Sequence, residues 1–228
     1  MAKYDAIFLD VDGTLLWVNL DVAGYVEDLA PYSKNGPLTV EDATAPVWDS
    51  MRRHIKENIK HRTEESLAEF RAENARITAE ALGVQAPPDV LTKVAGRRIS
   101  FNPYPESVRV MDELRSMGMP LYVVSNWDVL LHTVLDDLGW TEYFEGVIAS
   151  AVVGVEKPER GIFDEALRVS GASPDRVLHV GNDPVTDVEG ATEVGVDVAF
   201  IDRQGAGEHP RAAVTLPDLG GLPDYVRV

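Results

Sequence analysis

Cysteine is absent from the 228-residue chain, so there is no disulfide, no thiol nucleophile and no thiolate metal site. Catalysis of any kind would have to use oxygen and nitrogen groups. Basic residues are scarce: 21 Lys and Arg stand against 38 Asp and Glu, a net charge of −17, and lysine is rarer than arginine. With no broad basic face to displace counterions from phosphates, no nucleic-acid partner is expected. The sequence also lacks a charged leader followed by an apolar stretch, and any apolar run of membrane-spanning length. Neither a signal peptide nor a membrane partner is expected, and the cytoplasm is the expected compartment. The acidic, lysine-poor composition could reflect a high-salt cytoplasm, but ordinary solubility is the simpler account. Repeats and low-complexity segments are missing as well.

What remains is an ordinary globular composition, 45% apolar, in a chain long for one domain and short for two. That length suits a core domain carrying a smaller insert. The chain is organised around Tyr4–Thr14. Ala6 to Leu9 is a short apolar strand that ends in Asp10, Asp12 and Gly13. Side chains two apart on a strand share a face, so Asp10 and Asp12 can aim into the space beyond its carboxyl end. Gly13 permits a reversal there, and the Thr14 hydroxyl can bond whatever the carboxylates hold. Taken alone, this stretch could be no more than an Asx-type turn.

After Thr14 the pattern is helical for about eighty residues. Asp21–Leu29 is a weak helix and Asn35-Gly36-Pro37 a turn. Thr39 opens a helix toward Ile59 with an apolar stripe Val47, Met51, Ile55, Ile59, and Pro46 is expected to kink or split it. Thr63 caps the next helix, which ends at Gly83 with Leu67, Phe70, Ile77 and Ala81 facing inward. Pro87-Pro88 opens a shorter helix to about Val94. The segment reads as an all-helical insert with no strand of its own. From Tyr104 strand and helix alternate. Strands are expected at Leu121–Ser125, Gly146–Ser150, Val177–Val180 and Val198–Ile201, and helices at Glu106–Met117, Val129–Leu138, Gly161–Val169 and Val185–Val194. Val214–Leu216 reads as an edge strand and Asp224–Val228 as a tail. Short crossovers between buried strands predict an α/β fold, a doubly wound parallel, Rossmann-like sheet with an inserted all-helical cap.

Ligand crevices in such sheets lie beyond the carboxyl ends of the strands. Four polar groups fall there in order: Asp10 and Asp12; Ser125-Asn126; Lys157-Pro158; and Gly181-Asn182-Asp183 followed by Asp187. Singly, each has a plainer reading as a turn, a helix cap, a solvated lysine or helix N-terminal charges. Together they place about four negative charges against one lysine, which calls for a cation. An oxygen-rich site of this kind suits Mg²⁺ with retained waters.

These four motifs in combination resemble the haloacid dehalogenase superfamily of hydrolases, in its phosphatase branch. The likeness implies a core of 1–16 and 99–228 and a mobile cap of 17–98, hinged near Trp17 and Ser100. It implies that Asp10 attacks a phosphoryl group to form an aspartyl-phosphate. Asp12 then protonates the leaving alkoxide and afterwards activates water. It implies Mg²⁺ held by Asp10, the Asp12 main-chain carbonyl and Asp183, with Asp187 direct or behind them. Thr14, Ser125, Asn126 and Lys157 face the substrate, a small phosphorylated metabolite, and Trp127 could wall the pocket. The dehalogenases of the superfamily lack an acid at the position of Asp12, since a halide needs no proton. One departure stands out: many relatives carry an acid where this chain has Asn182, so the Asn182 carbonyl oxygen is an alternative ligand to Asp183.

Other implications are looser. Arg52, Arg53, His54, Lys56, Lys60, His61 and Arg62 form a basic run that could steer anions or simply be a solvated helix face. Arg97 and Arg98 could bind a second anionic group. Phosphotransfer or mutase chemistry within the superfamily is an alternative, as is, from another class, a phospho-accepting regulatory module. The chain is expected to act as a monomer or homodimer.

Overall fold

The apolar run Ala6–Leu9 forms strand β1, buried along its whole length in a computed structural model that describes residues 3–227. Two strands flank it, β4 (Leu121–Ser125) and β6 (Val177–Gly181). Ile7 is registered against Leu121 on one side and Leu178 on the other. The sheet continues outward through β5 (Gly146–Ala149) on one edge and β7 (Asp197–Ile201) and β8 (Val214–Leu216) on the other. All five pairings are parallel, giving the order β5-β4-β1-β6-β7-β8. Connections therefore diverge from β1, and the carboxyl end of β1 is the switch point where a ligand crevice opens.

Helices α5 (Ser107–Ser116), α6 (Leu131–Asp137), α7 (Ser150–Val153), α8 (Arg160–Ser170), α9 (Gly190–Glu193) and α10 (Leu222–Arg227) accompany this sheet. One core cluster joins Phe8, Val124, Ile148, Phe163, Val188 and Ala191. Each fully buried side chain of the larger kind contributes roughly 1.5–3 kcal/mol. Where one helix is expected over Val185–Val194, the chain makes a π-type turn over Pro184–Glu189 before α9. The Asp183 carbonyl accepts from both Asp187 N at 3.1 Å and Val188 N at 3.2 Å, and this widened turn brings the Asp187 side chain inward. Of the expected tail, Asp224–Arg227 belong to the short helix α10, and Val228 lies outside the described residues.

Among the described residues, those up to Trp17 and from Asn102 onward form one unit, and Val18–Phe101 form the other. Strands β2 (Leu16–Leu20) and β3 (Ile99–Pro103) pair with each other as a two-stranded sheet, and both divisions fall inside these strands. This corrects the expectation of a strandless insert. The partners lie about eighty residues apart, and no local pattern reveals a pairing at that separation.

The second unit holds α1 (Val22–Leu29), α2 (Val40–Glu57), α3 (Glu64–Ala81) and α4 (Pro88–Arg97), around Tyr25, Leu29, Val47, Ala75, Ala79, Leu91 and Val94. Asp21, Thr39 and Thr63 cap the first three through their side-chain oxygens. α2 is continuous through Pro46, where a kink or split is expected from the sequence. Its expected stripe fails at Ile55, which is 61% exposed. Residues spaced by four drift about 40° per step around a 3.6-residue helix, so the buried face passes through Ala43 and Val47 to Asn58 instead. In α3 the buried side chains are Leu67, Asn74, Ala75, Thr78 and Ala79, a face turned round the helix from the expected one, leaving Phe70 and Ile77 half-buried and Ala81 exposed.

Candidate active site

Asp10 stands one residue past β1. Its N–H donates to Val180 O at 2.9 Å, which fixes the residue at the centre of the sheet's carboxyl edge. The residue is only 6% exposed. Oδ1 accepts from Ser125 Oγ at 3.0 Å and from Lys157 Nζ at 2.7 Å, and Oδ2 accepts from the Thr14 hydroxyl at 3.4 Å. Three of the four sequence motifs thus meet at one carboxylate. Asp12, two residues on, is exposed. The turn that follows Asp12 requires glycine twice over: Gly13 has φ +81°, and a Cβ there would lie 2.3 Å from the Asn182 amide.

Lys157 is 3% exposed and bridges two carboxylates, with Nζ also 2.6 Å from Asp187 Oδ1. Asp187 Oδ1 further accepts from His179 Nε2 at 2.9 Å, and Oδ2 from Asp183 N at 2.9 Å. Gly181 leaves room for this arrangement, since a Cβ there would sit 2.2 Å from the Asp187 carboxyl carbon. Burial pushes the Asp10 carboxyl above the usual carboxylate range; Lys157 pulls against that shift and the Asp187 charge adds to it. Burial also opposes charge on Asp187, but Lys157 and His179 outweigh it and hold that carboxyl well below the ordinary range. For Lys157, burial favours the neutral amine, and the two carboxylates more than reverse this, raising its pKa.

The fourth motif divides its labour. Asp183 Oδ1 accepts from Val185 N at 2.9 Å and Thr186 N at 2.7 Å, so this carboxylate caps the turn that follows it. Asn182 Oδ1 instead accepts from Thr14 Oγ1 at 3.2 Å, and that same hydroxyl reaches Asp10 Oδ2. Among the described residues no three Asp, Glu or His side chains converge as metal ligands. The crowd of four carboxylates expected from the sequence is thereby reduced: Asp187 is compensated by Lys157 and His179, and Asp183 by backbone amides. Across the Thr14 hydroxyl from Asp10 is a neutral amide oxygen, that of Asn182. One carboxylate with neutral oxygens and waters fits a hard cation such as Mg²⁺. Asn182 shares the Thr14 hydroxyl with Asp10, whereas the Asp183 carboxylate is engaged by backbone amides and that of Asp187 by Lys157 and His179.

Asn126 is turned to structure. Its amide donates to Lys157 O at 2.8 Å and its oxygen accepts from Lys157 N at 2.7 Å, so both bonds hold the lysine's backbone. Trp127 is tied through its backbone to Ser150, whose hydroxyl bonds both Trp127 N and O, and its ring is half-buried. In the other unit, Arg52 pairs with Asp49 and Lys60 with Glu57, so part of the basic run is neutralised by its own helix. Arg97 and Arg98 both grip Asp28, and Arg98 also reaches Asp21 at 2.9 Å, which spends the charge expected for a second anion.

A family model for haloacid dehalogenase-like hydrolases matches residues 4–195. The chain belongs to this family. A curated relative, the glyceraldehyde 3-phosphate phosphatase of Methanothermobacter thermautotrophicus, is 28% identical over 211 residues, covering 87% of this chain and 86% of its own. The (S)-2-haloacid dehalogenase H-109 of Pseudomonas putida is 27% identical over 180 residues, 74% of this hydrolase and 73% of that one. Among solved structures, a phosphatase of the same superfamily from Thermococcus onnurineus shares the fold, with TM-score 0.62, 22% identity and 97% of each chain covered.

One member of the hydrolase's site was missed from sequence. His179 is fully buried on β6, and its Nδ1 has no hydrogen-bond partner. The carboxylate can only accept, so Nε2 carries the proton and donates to Asp187. The available signal was a single polar residue inside Val177-Leu178-His179-Val180.

Proposed function

We propose that this hydrolase is a Mg²⁺-dependent phosphomonoesterase that acts on a small phosphorylated metabolite through an aspartyl-phosphate on Asp10. The observation that carries the reading is the pairing of a buried Asp10, held by Lys157 and Ser125, with an exposed acid at Asp12. Asp10 attacks phosphorus in line while the bond to the substrate oxygen breaks. Asp12 gives its proton to the leaving alkoxide and, once ionised, takes one from the water that hydrolyses the acyl phosphate. Ser125 and Lys157, already on the nucleophile, supply a hydroxyl and a positive charge for the phosphoryl oxygens. Mg²⁺, held by Asp10, the Asp12 carbonyl and the Asn182 amide oxygen, would neutralise charge on the phosphoryl group. A relative named as a phosphatase over most of its length supports this reading.

A dehalogenase relative makes halide release the competing activity, and Asp12 argues against it. The expected outcome is slow hydrolysis of p-nitrophenyl phosphate with Mg²⁺, lost on chelation and restored by added metal. No chloride should be freed from 2-chloropropionate. Chloride release without phosphatase activity contradicts the proposal. A screen of sugar phosphates, phosphoglycolate and nucleotides then narrows the substrate.

A further inference from the structure

The loop that carries both candidate catalytic acids is gripped from outside the four motifs. Arg203 lies two residues past β7, on the same edge of the sheet. Its Nε donates to the Gly13 carbonyl at 3.2 Å and its Nη2 to the Thr14 carbonyl at 2.9 Å. Nη2 also lies 2.7 Å from Glu106 Oε1, in an ion pair whose partners are both mostly buried. The guanidinium carbon sits 3.4 Å from the centroid of the Tyr104 ring, and that ring packs on Trp17 with centroids 5.1 Å apart. A planar, always-charged fork stacked on an aromatic face is a rigid donor pair.

The arginine is itself held. Asp202 accepts from Ala206 N at 3.0 Å and from Gly207 N at 2.7 Å, closing the loop that carries Arg203 around its own carboxylate. Asp202 N in turn donates to Leu216 O at 2.8 Å, anchoring that loop to β8. On the far side, Leu15 O accepts from Tyr104 N at 3.1 Å and Ser107 Oγ at 2.6 Å. The loop from Gly13 to Leu15 is therefore fixed on its outer side by Arg203, Tyr104 and Ser107. None of these contacts involves a proposed metal ligand's side chain.

We infer that Arg203 is a positioning residue that sets the Asp12 carboxyl in place for proton transfer by pinning the carbonyls of the next two residues. Its kinetic part rests on the phosphatase reading; its structural part does not. A donor that merely supports the fold would slow all substrates alike. One that aims Asp12 matters most where the leaving group needs a proton.

The test compares wild type, Arg203→Met and Arg203→Lys on glycerol phosphate, whose alkoxide needs the proton, and p-nitrophenyl phosphate, whose phenolate does not. Amide hydrogen exchange of residues 11–16 is measured on the same proteins. For Arg203→Met, kcat/KM should fall roughly 10²-fold on the alkyl ester, the scale of a misplaced catalytic group, and less than about tenfold on the aryl ester. Exchange in the loop should quicken, and lysine should restore part of both. Glu106→Gln, which loosens the arginine without removing it, should shift both readouts the same way by less and serves if Arg203→Met fails to fold. Equal losses on the two esters, or unchanged exchange in both variants, would overturn the inference. If wild type cleaves neither ester, the phosphatase reading fails and exchange alone decides whether Arg203 holds the loop.

Discussion

Lys157 is almost wholly buried between Asp10 and Asp187, and the three charges leave one net negative among them. Desolvating such a group is costly, and mutual attraction repays it only with complete hydrogen bonding. His179, Ser125 and the Asp183 amide complete it. Removing the lysine strands two buried carboxylates at once. Lys157→Met should therefore destabilise the protein by about 3–5 kcal/mol, measured by urea unfolding without added metal. A loss under about 1 kcal/mol, the range of exposed ion pairs, would mean that the site is wetter than its burial implies. At this scale much was legible. Asp10, Ser125 and Lys157 announce themselves as polar residues at strand ends, and the structure brings them together. Their partners did not. Asn126 and Asp183 look like site residues, yet their amide and carboxylate are spent on backbone groups. His179 hides because a buried histidine in an apolar strand carries no spacing rule. Which oxygen faces which donor is a three-dimensional fact, and spacing along the chain does not encode it.

The elements of the sheet were readable because buried parallel strands are continuous apolar runs separated by helices that end in glycine. Bounds moved by a residue or two, except over Val185–Val194, where the π-type turn Pro184–Glu189 leaves α9 only Gly190–Glu193. β2 and β3 were missed since their hydrogen bonds come from each other across the whole insert. Within the insert, α1 and α4 are tied by charge as well as by apolar packing. Asp28 on α1 accepts from Arg98 and Arg97, and their guanidinium groups hold its carboxyl below the usual range. A depressed folded-state pKa contributes stability that is present above the unfolded value of about 3.9 and lost as pH falls through the folded one. Wild type should therefore lose urea resistance on going from pH 5 to pH 3 more steeply than Asp28→Asn. Parallel slopes for the two proteins would show that the Arg97–Asp28–Arg98 contact contributes nothing in solution.

For the whole molecule, the net charge of −17 sets the background. Most visible ion pairs are exposed, such as Arg168–Glu165 and Arg160–Asp164, and each contributes little. The long-range consequence is self-repulsion, which salt screens over a Debye length of about 10 Å at 0.1 M. Adding sodium chloride at neutral pH should raise the melting temperature, in the direction opposite to that of a protein held mainly by surface ion pairs. A fall in melting temperature with salt would show that paired surface charges outweigh the repulsion.

The proposed reaction turns on a single carboxylate, Asp10, being transiently esterified by phosphate. Rapid acid quench of the protein turning over p-nitrophenyl phosphate with Mg²⁺, followed by peptide mass analysis, tests it most directly. A phosphoryl group is expected on the peptide containing Asp10, absent in Asp10→Asn together with turnover. Turnover by Asp10→Asn, or a phosphoryl group on another residue of the active wild type, would contradict it.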